Sequence, residues 1–249
     1  YGSMNGLETV GTYLHFNSNG SDVTASDPVP YYRLTGLTSV GDWLRFQGNG
    51  GVRTVTLGTT GTAFTVGATG GSNYLIIDGN ANLTTFTADG LTSVGNYVSA
   101  SGNAALVSLN IPELTTIGSY FSVSSNARLE SFDMPALSTV GSYLTLSNNG
   151  DSATGSTPTY AFPGLTSVGR DLNVSSNGTV DTLQVGTAGT PLTIGTAGTT
   201  DPATKKLDIN TNPYLETIDA DAITSVASYV NVSSNPYLAY AGMNGLETV

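Results

Sequence analysis

Apolar and polar positions alternate in short bursts along this chain, and the bursts recur. The cleanest copy is Glu113–Pro135, ELTTIGSYFSVSSNARLESFDMP, and Ala136–Asn149 begins it again as ALSTVGSYLTLSNN. Phe121 and Val123 fall on one side of an extended chain, and Tyr120 and Ser122 on the other. That is the period-two pattern of a half-buried strand. Leu114 and Ile117 precede this strand, and Leu129 and Phe132 follow Asn126, so one unit carries three short apolar segments. No apolar stripe at helical spacing persists, and Gly, Ser, Thr and Val dominate.

Nine units align on a leading apolar residue: Leu7, Leu37, Phe64, Leu91, Leu114, Leu137, Leu165, Leu192 and Ile223, with a tenth starting at Leu246. The leaders are 23 to 31 residues apart. In seven units an Asn stands 12 residues after the leader: Asn19, Asn49, Asn103, Asn126, Asn149, Asn177 and Asn235. Asn80 and Asn212 take that place in the two units with an insertion. Positions five and three before the Asn are apolar throughout, from Leu14 and Phe16 to Val230 and Val232. A repeat of this length signals a solenoid, whose stacked coils enclose a core that no single coil could bury. The pattern therefore predicts an all-β, parallel β-solenoid of about nine coils, one continuous unit over residues 1–249. The Asn column predicts an asparagine ladder, with amides bonding from coil to coil and to turn backbone.

Longer-range repeats add to this. Ser21–Arg33 and Asp151–Pro163 are rich in Ser, Thr, Gly and Pro and read as surface loops. LGTTGTAFTVGATGG recurs as VGTAGTPLTIGTAGT at a shift of 128, a duplication of about five coils whose inserts read as loops too. Tyr1–Val10, YGSMNGLETV, returns as Tyr240–Val249, YAGMNGLETV, at a shift of 239. This predicts one period of a longer tandem array, or a unit that stacks end to end.

Composition narrows the function. Charged residues are 10% of the chain, against about 25% in ordinary globular domains, so backbone ladders and stacked side chains must replace salt bridges. A net charge of −11 argues against nucleic acid and anionic membranes. There is no Cys and a single His, His15, which excludes thiol chemistry and argues against zinc. Asp219 and Asp221 are a carboxylate pair of the kind that holds calcium or cleaves polysaccharide. No third carboxylate joins them, so they read as surface solvation. No enzyme activity and no cofactor are expected. No basic-then-apolar leader is present, and no apolar run reaches the roughly 18 residues needed to span a bilayer.

The recurring L-T-S-V-G-x-Y-L-x-x-x-x-N, as in Leu91–Asn103, Leu137–Asn149 and Ile223–Asn235, resembles the receptor L-domain branch of the leucine-rich-repeat-like solenoids. It looks most like the fungal cell-wall-organisation and sporulation surface proteins. The resemblance implies a right-handed β-solenoid and an extracellular, glycosylated surface protein. On that reading the sequons at Asn173 and Asn231 (NVS), which fall on the outward face of a strand, are glycosylation candidates, with Asn82 (NLT) at a turn. Asn19 and Asn177 also begin sequons, but as ladder members they are expected to be buried and unmodified. The inserts are candidate carriers of O-glycans.

Six residues before the ladder Asn runs an outward aromatic column: Tyr13, Trp43, Tyr74, Tyr97, Tyr120, Tyr143 and Tyr229, broken by Asp171 and Lys206. Its rings either stack between coils and shield the strands, or form a stripe that contacts sugars or another subunit. The expected function is structural: an extracellular glycoprotein forming a filament, sheath or cell-wall layer by head-to-tail continuation, with itself and covalent glycans as partners. The alternative is a ligand- or glycan-binding adhesin or receptor ectodomain that uses the aromatic stripe.

Overall fold

The computed structural model describes residues 2–20, 30–67, 72–130, 132–150, 158–195 and 205–249. All regular structure among them is β-strand, and neighbouring strands in every sheet pair in parallel. Three sides make up each coil. The leader side is a nine-stranded sheet running from Thr9–Val10 to Ile223–Val226. The ladder side is a second nine-stranded sheet, from Leu14–Asn17 to Tyr229–Ser233. Nine strands bound eight full turns. The third side divides into two five-stranded sheets, Gly2–Ser3 to Ser108–Asn110 and Phe132–Asp133 to Tyr240–Gly242.

Register explains why the sequence columns are so regular. Val98, Phe121, Leu144 and Leu172 are direct partners across successive coils, as are Ala100, Val123, Leu146 and Val174. All eight are buried, and the apolar cluster they belong to runs through every coil. Burying each Leu, Val or Phe is worth about 1.5–3 kcal/mol, and a coil supplies several, which is why the coils are stable only when stacked. The end coils differ. Leu7, Val10 and Leu14 at one end, and Val230, Val232, Leu238, Met243 and Leu246 at the other, pack against the core but are only partly buried.

The inserts are a correction. Tyr31–Leu34 and Thr159–Phe162, inside stretches expected to be loops, are strands of the third side. Tyr32, Leu34, Tyr160 and Phe162 are buried there. Phe64–Val66 and Leu192–Ile194, inside the duplicated stretches, supply leader-side strands, as the place of Phe64 and Leu192 among the nine leaders predicts. Composition misled because the Ser, Thr, Gly and Pro of each insert hide a strand-length alternation of bulky residues at one end. Residues 21–29, 68–71, 151–157 and 196–204 lie outside the described residues.

Candidate functional site

The Asn column is a fully bonded ladder. The backbone N–H and Nδ2 of Asn126 both donate to Oδ1 of Asn149, at 3.1 Å each, and Nδ2 also donates to the carbonyl of Ala100 at 3.0 Å. Oδ1 of Asn126 in turn accepts from N and Nδ2 of Asn103. The same arrangement links Asn19, Asn49, Asn80, Asn103, Asn126, Asn149, Asn177, Asn212 and Asn235 in one direction along the axis. The seven inner rungs are buried. Asn19 is exposed, contrary to expectation, because no rung precedes it among the described residues. Asn235 is partly buried, with none following it. The ladder is polar: Asn19 presents an acceptor to one end, and Asn235 presents donors to the other.

Each rung depends on the residue before it, a feature the sequence pattern did not single out. Ser18, Gly48, Gly79, Gly102, Ser125, Asn148, Ser176, Thr211 and Ser234 all have positive φ, between 53° and 65°. This left-handed residue turns the chain so that the following Asn points inward. The signal was present as a Gly, Ser, Asn or Thr in front of every ladder Asn.

The outward aromatic column forms a continuous stack from Tyr13 to Tyr143. Ring centroids lie 4.3, 5.5, 4.9, 4.4 and 5.0 Å apart, and the planes are within 21° of parallel. Ring faces are turned to one another, so the inner rings offer a partner their edges and hydroxyls. Burial, and then the neighbouring phenols, push the Tyr120 hydroxyl's pKa up, and burial raises that of Tyr97. His15 stands edge-on to Trp43 with centroids 5.4 Å apart. Beyond the interruption at Asp171, Lys206 places its Nζ 5.7 Å from the centre of the Tyr229 ring.

A polar knot on the outer face of the ladder sheet also escaped the sequence reading. Asp208, buried, accepts from Nζ of Lys206 and Nδ2 of Asn210, both at 2.7 Å, and from Nδ2 of Asn231 at 2.8 Å. Burial opposes ionisation of Asp208, but the three hydrogen bonds outweigh it and hold its pKa below the usual carboxylate value. Register brings the knot together, since Asn173, Asp208 and Asn231 are partners on consecutive strands. The sequons at Asn173 and Asn231 thus sit half-buried around a carboxylate, whereas Asn82 is exposed and donates to the carbonyl of Gly50.

Asp219 and Asp221 bracket the end of a third-side strand, and Asp221 accepts from the backbone N–H of Asn244 at 2.8 Å. Among the described residues, no group of three or more His, Asp or Glu is placed to hold a metal ion. No helix among them is long and apolar enough to cross a membrane. No known protein family matches the chain, and neither does any curated protein or solved structure.

Proposed function

We propose that the protein is a structural, extracellular glycoprotein whose coils continue head to tail into a filament, sheath or surface layer. The observation that carries this is a pair of glycines in the first coil. At Gly36, Gly90 and Gly245, an added Cβ would meet a carbonyl oxygen of the preceding coil at 2.1, 2.2 and 2.3 Å. At Gly118 and Gly141 the corresponding distances, at the next corner, are 2.0 and 2.1 Å. Gly6 and Gly11 occupy these same two corners in the first coil, yet no atom lies within 4 Å of where their Cβ would be. Neither needs to be glycine for this chain alone; both would be required with another coil packed below them.

Ladder polarity and the partly buried end cores point the same way. Donors at Asn235 match the acceptor at Asn19, and Val230 and Val232 match Leu14 and Phe16. Tyr240–Gly242 already extends the third side by one strand, paired to Thr217–Asp219. The next piece the pattern requires is a copy of Gly11–Asn19 against Tyr229–Ser233. The likeness of the repeat to fungal surface proteins supports the extracellular setting, and the exposed sequon at Asn82 is the most accessible glycan site of the three.

Light scattering and electron microscopy of the purified chain test this reading. Concentration-dependent, end-to-end association is expected, with an axial repeat of about 43 Å from nine strand spacings. The double variant Gly6→Ala, Gly11→Ala is expected to stay folded with an equal or higher unfolding midpoint, but to remain monomeric. A 25.5 kDa particle that stays monodisperse at high concentration overturns the proposal, as does undiminished assembly of the double variant.

A further inference from the structure

The geometry points to a binding groove for a neutral polysaccharide chain along the turns of the last four coils. An open groove of about 430 Å³ runs there, directly over the buried Asn column. One wall is Asn148, Ser176, Thr211 and Ser234, the residues immediately before successive ladder rungs. The other carries Pro213 and Pro236, immediately after their rungs. Ser234 and Pro236 belong to the last coil, beside the end face, while Asn148, Ser176, Thr211 and Pro213 lie within the stack; binding does not require head-to-tail assembly.

The first wall is left-handed throughout. Its four residues have φ of 55°, 55°, 58° and 56°, a region that disfavours side chains, most of all β-branched ones such as Thr211. Coils two to four put Gly48, Gly79 and Gly102 at this position and avoid the cost. Along the groove, each position instead carries a hydroxyl or an amide. Ser18 and Ser125, outside the groove, share this conformation at φ of 53° and 56°, so what the groove itself adds is an unbroken row of hydroxyl and amide groups along an open channel.

The second wall supplies the complementary chemistry. Each proline leads into an exposed tyrosine, Tyr214 at 57% and Tyr237 at 62% of full exposure. Their rings stack 5.9 Å apart with planes 10° from parallel. Sugars present hydroxyls at their edges and C–H groups on their faces, so a hydroxyl rail beside the proline rings suits both, and the stacked tyrosines, next to those prolines in the chain but outside the lining, add ring edges and hydroxyls. Rail groups recur once per coil, about 4.8 Å, close to the advance of one residue in an extended β-linked glycan. The choice of a neutral chain follows from charge. Among the described residues, no ionisable side chain lines the groove, and a net charge of −11 repels polyanions.

Calorimetric titration of the 249-residue chain with cellohexaose and laminarihexaose, and with an oligogalacturonate hexamer as the anionic control, tests the proposal. Saturable binding of at least one neutral hexasaccharide is expected, with none of the anionic control. Tyr237→Ala and Thr211→Gly are each expected to weaken it about tenfold, the size of one well-made contact. Because Thr211→Gly relieves strain, its unfolding midpoint should rise while binding falls, which separates a lost contact from a lost fold. The proposal is overturned if neither neutral hexasaccharide binds at millimolar concentration, if the galacturonate binds as well, or if both variants bind like the parent. Displacement of the sugar by a proline-rich peptide at equal concentration would also overturn it, assigning the groove to a protein partner.

Discussion

Each coil turns on either side of its ladder strand: at Gly95, Gly118 and Gly141 before the strand, and at Gly102, Ser125 and Asn148 after it. At the leading corner, Gly118 and Gly141 do not have positive φ, but a Cβ on Gly118 would lie 2.0 Å from the carbonyl oxygen of Gly95. At the trailing corner, Gly102 has a φ of +65°, yet the nearest atom to its would-be Cβ is 3.9 Å away. In these coils one corner excludes side chains by crowding from the coil below, and the other disfavours them by backbone conformation; Gly67 and Gly195, at the leading corner of the two coils with a register shift, have positive φ as well. The sequence follows the difference. The leading corner is Gly in every coil but the last, where Ala227 stands, while the trailing corner takes Gly, Ser, Asn or Thr. Crowding is close to absolute, whereas left-handed strain is a modest cost that other interactions can offset.

The trailing corner breaks most severely at the rung itself. Asn126→Ala removes two donated and two accepted side-chain hydrogen bonds and keeps the one from its backbone N–H to Asn149. It takes the acceptor from two buried donors of Asn103 and one donor each from Asn149 and Ala100, at a total of at least about 1–3 kcal/mol. The outward Ser122→Ala on the same coil should stay within about 0.5 kcal/mol. Equal unfolding midpoints for the two variants in a urea titration would contradict this account of inside and outside.

Next in size is the leading corner. Gly118→Ala must push the Gly95 carbonyl away from its place in the coil below, an overpacking cost of about 1–3 kcal/mol. The displaced peptide unit also carries Asn96, which donates to the carbonyls of Asn73 and Ser72. Thermal unfolding would expose the error in this view if Gly118→Ala proved as stable as the parent.

The two corners also show what could be read beforehand. Column periodicity exposed the coils, the core positions and the Asn ladder, because a stacked solenoid repeats one environment nine times and the sequence repeats with it. Gly118 was visible as a turn glycine, but its reason was not, since the crowding comes from a neighbouring coil's carbonyl. The strands Tyr31–Leu34 and Thr159–Phe162 escaped because insertions shift them out of the local period, and only cross-coil register identifies them. The knot at Asp208 was hidden for a related reason. Lys206, Asp208 and Asn210 alternate on one strand, but the fourth member, Asn231, is 23 residues away and arrives only through register. The groove needed both φ values and shape, and neither is written in residue types.

The smallest effect is the most discriminating, because it concerns the trailing corner alone. Ser125 has a φ of 56° and Gly102, one coil earlier, a φ of 65°, so the two sites differ in residue but share a conformation. Ser125→Gly removes the left-handed cost, about 1 kcal/mol, and returns part of it through the greater freedom of glycine in the unfolded chain. A net gain of about 0.5 kcal/mol is expected. Gly102→Ala runs the same balance backwards. Its Cβ enters open space, so the loss should be about 1 kcal/mol, clearly less than for Gly118→Ala. The ordering of the three midpoints, Ser125→Gly above the parent, Gly102→Ala slightly below it and Gly118→Ala lowest, follows only if conformation rules one corner and crowding the other. Should Gly102→Ala fall as far as Gly118→Ala in matched denaturant titrations, the trailing corner is crowded as well, and the room that admits Ser125, Asn148 and Thr211 must have some other origin.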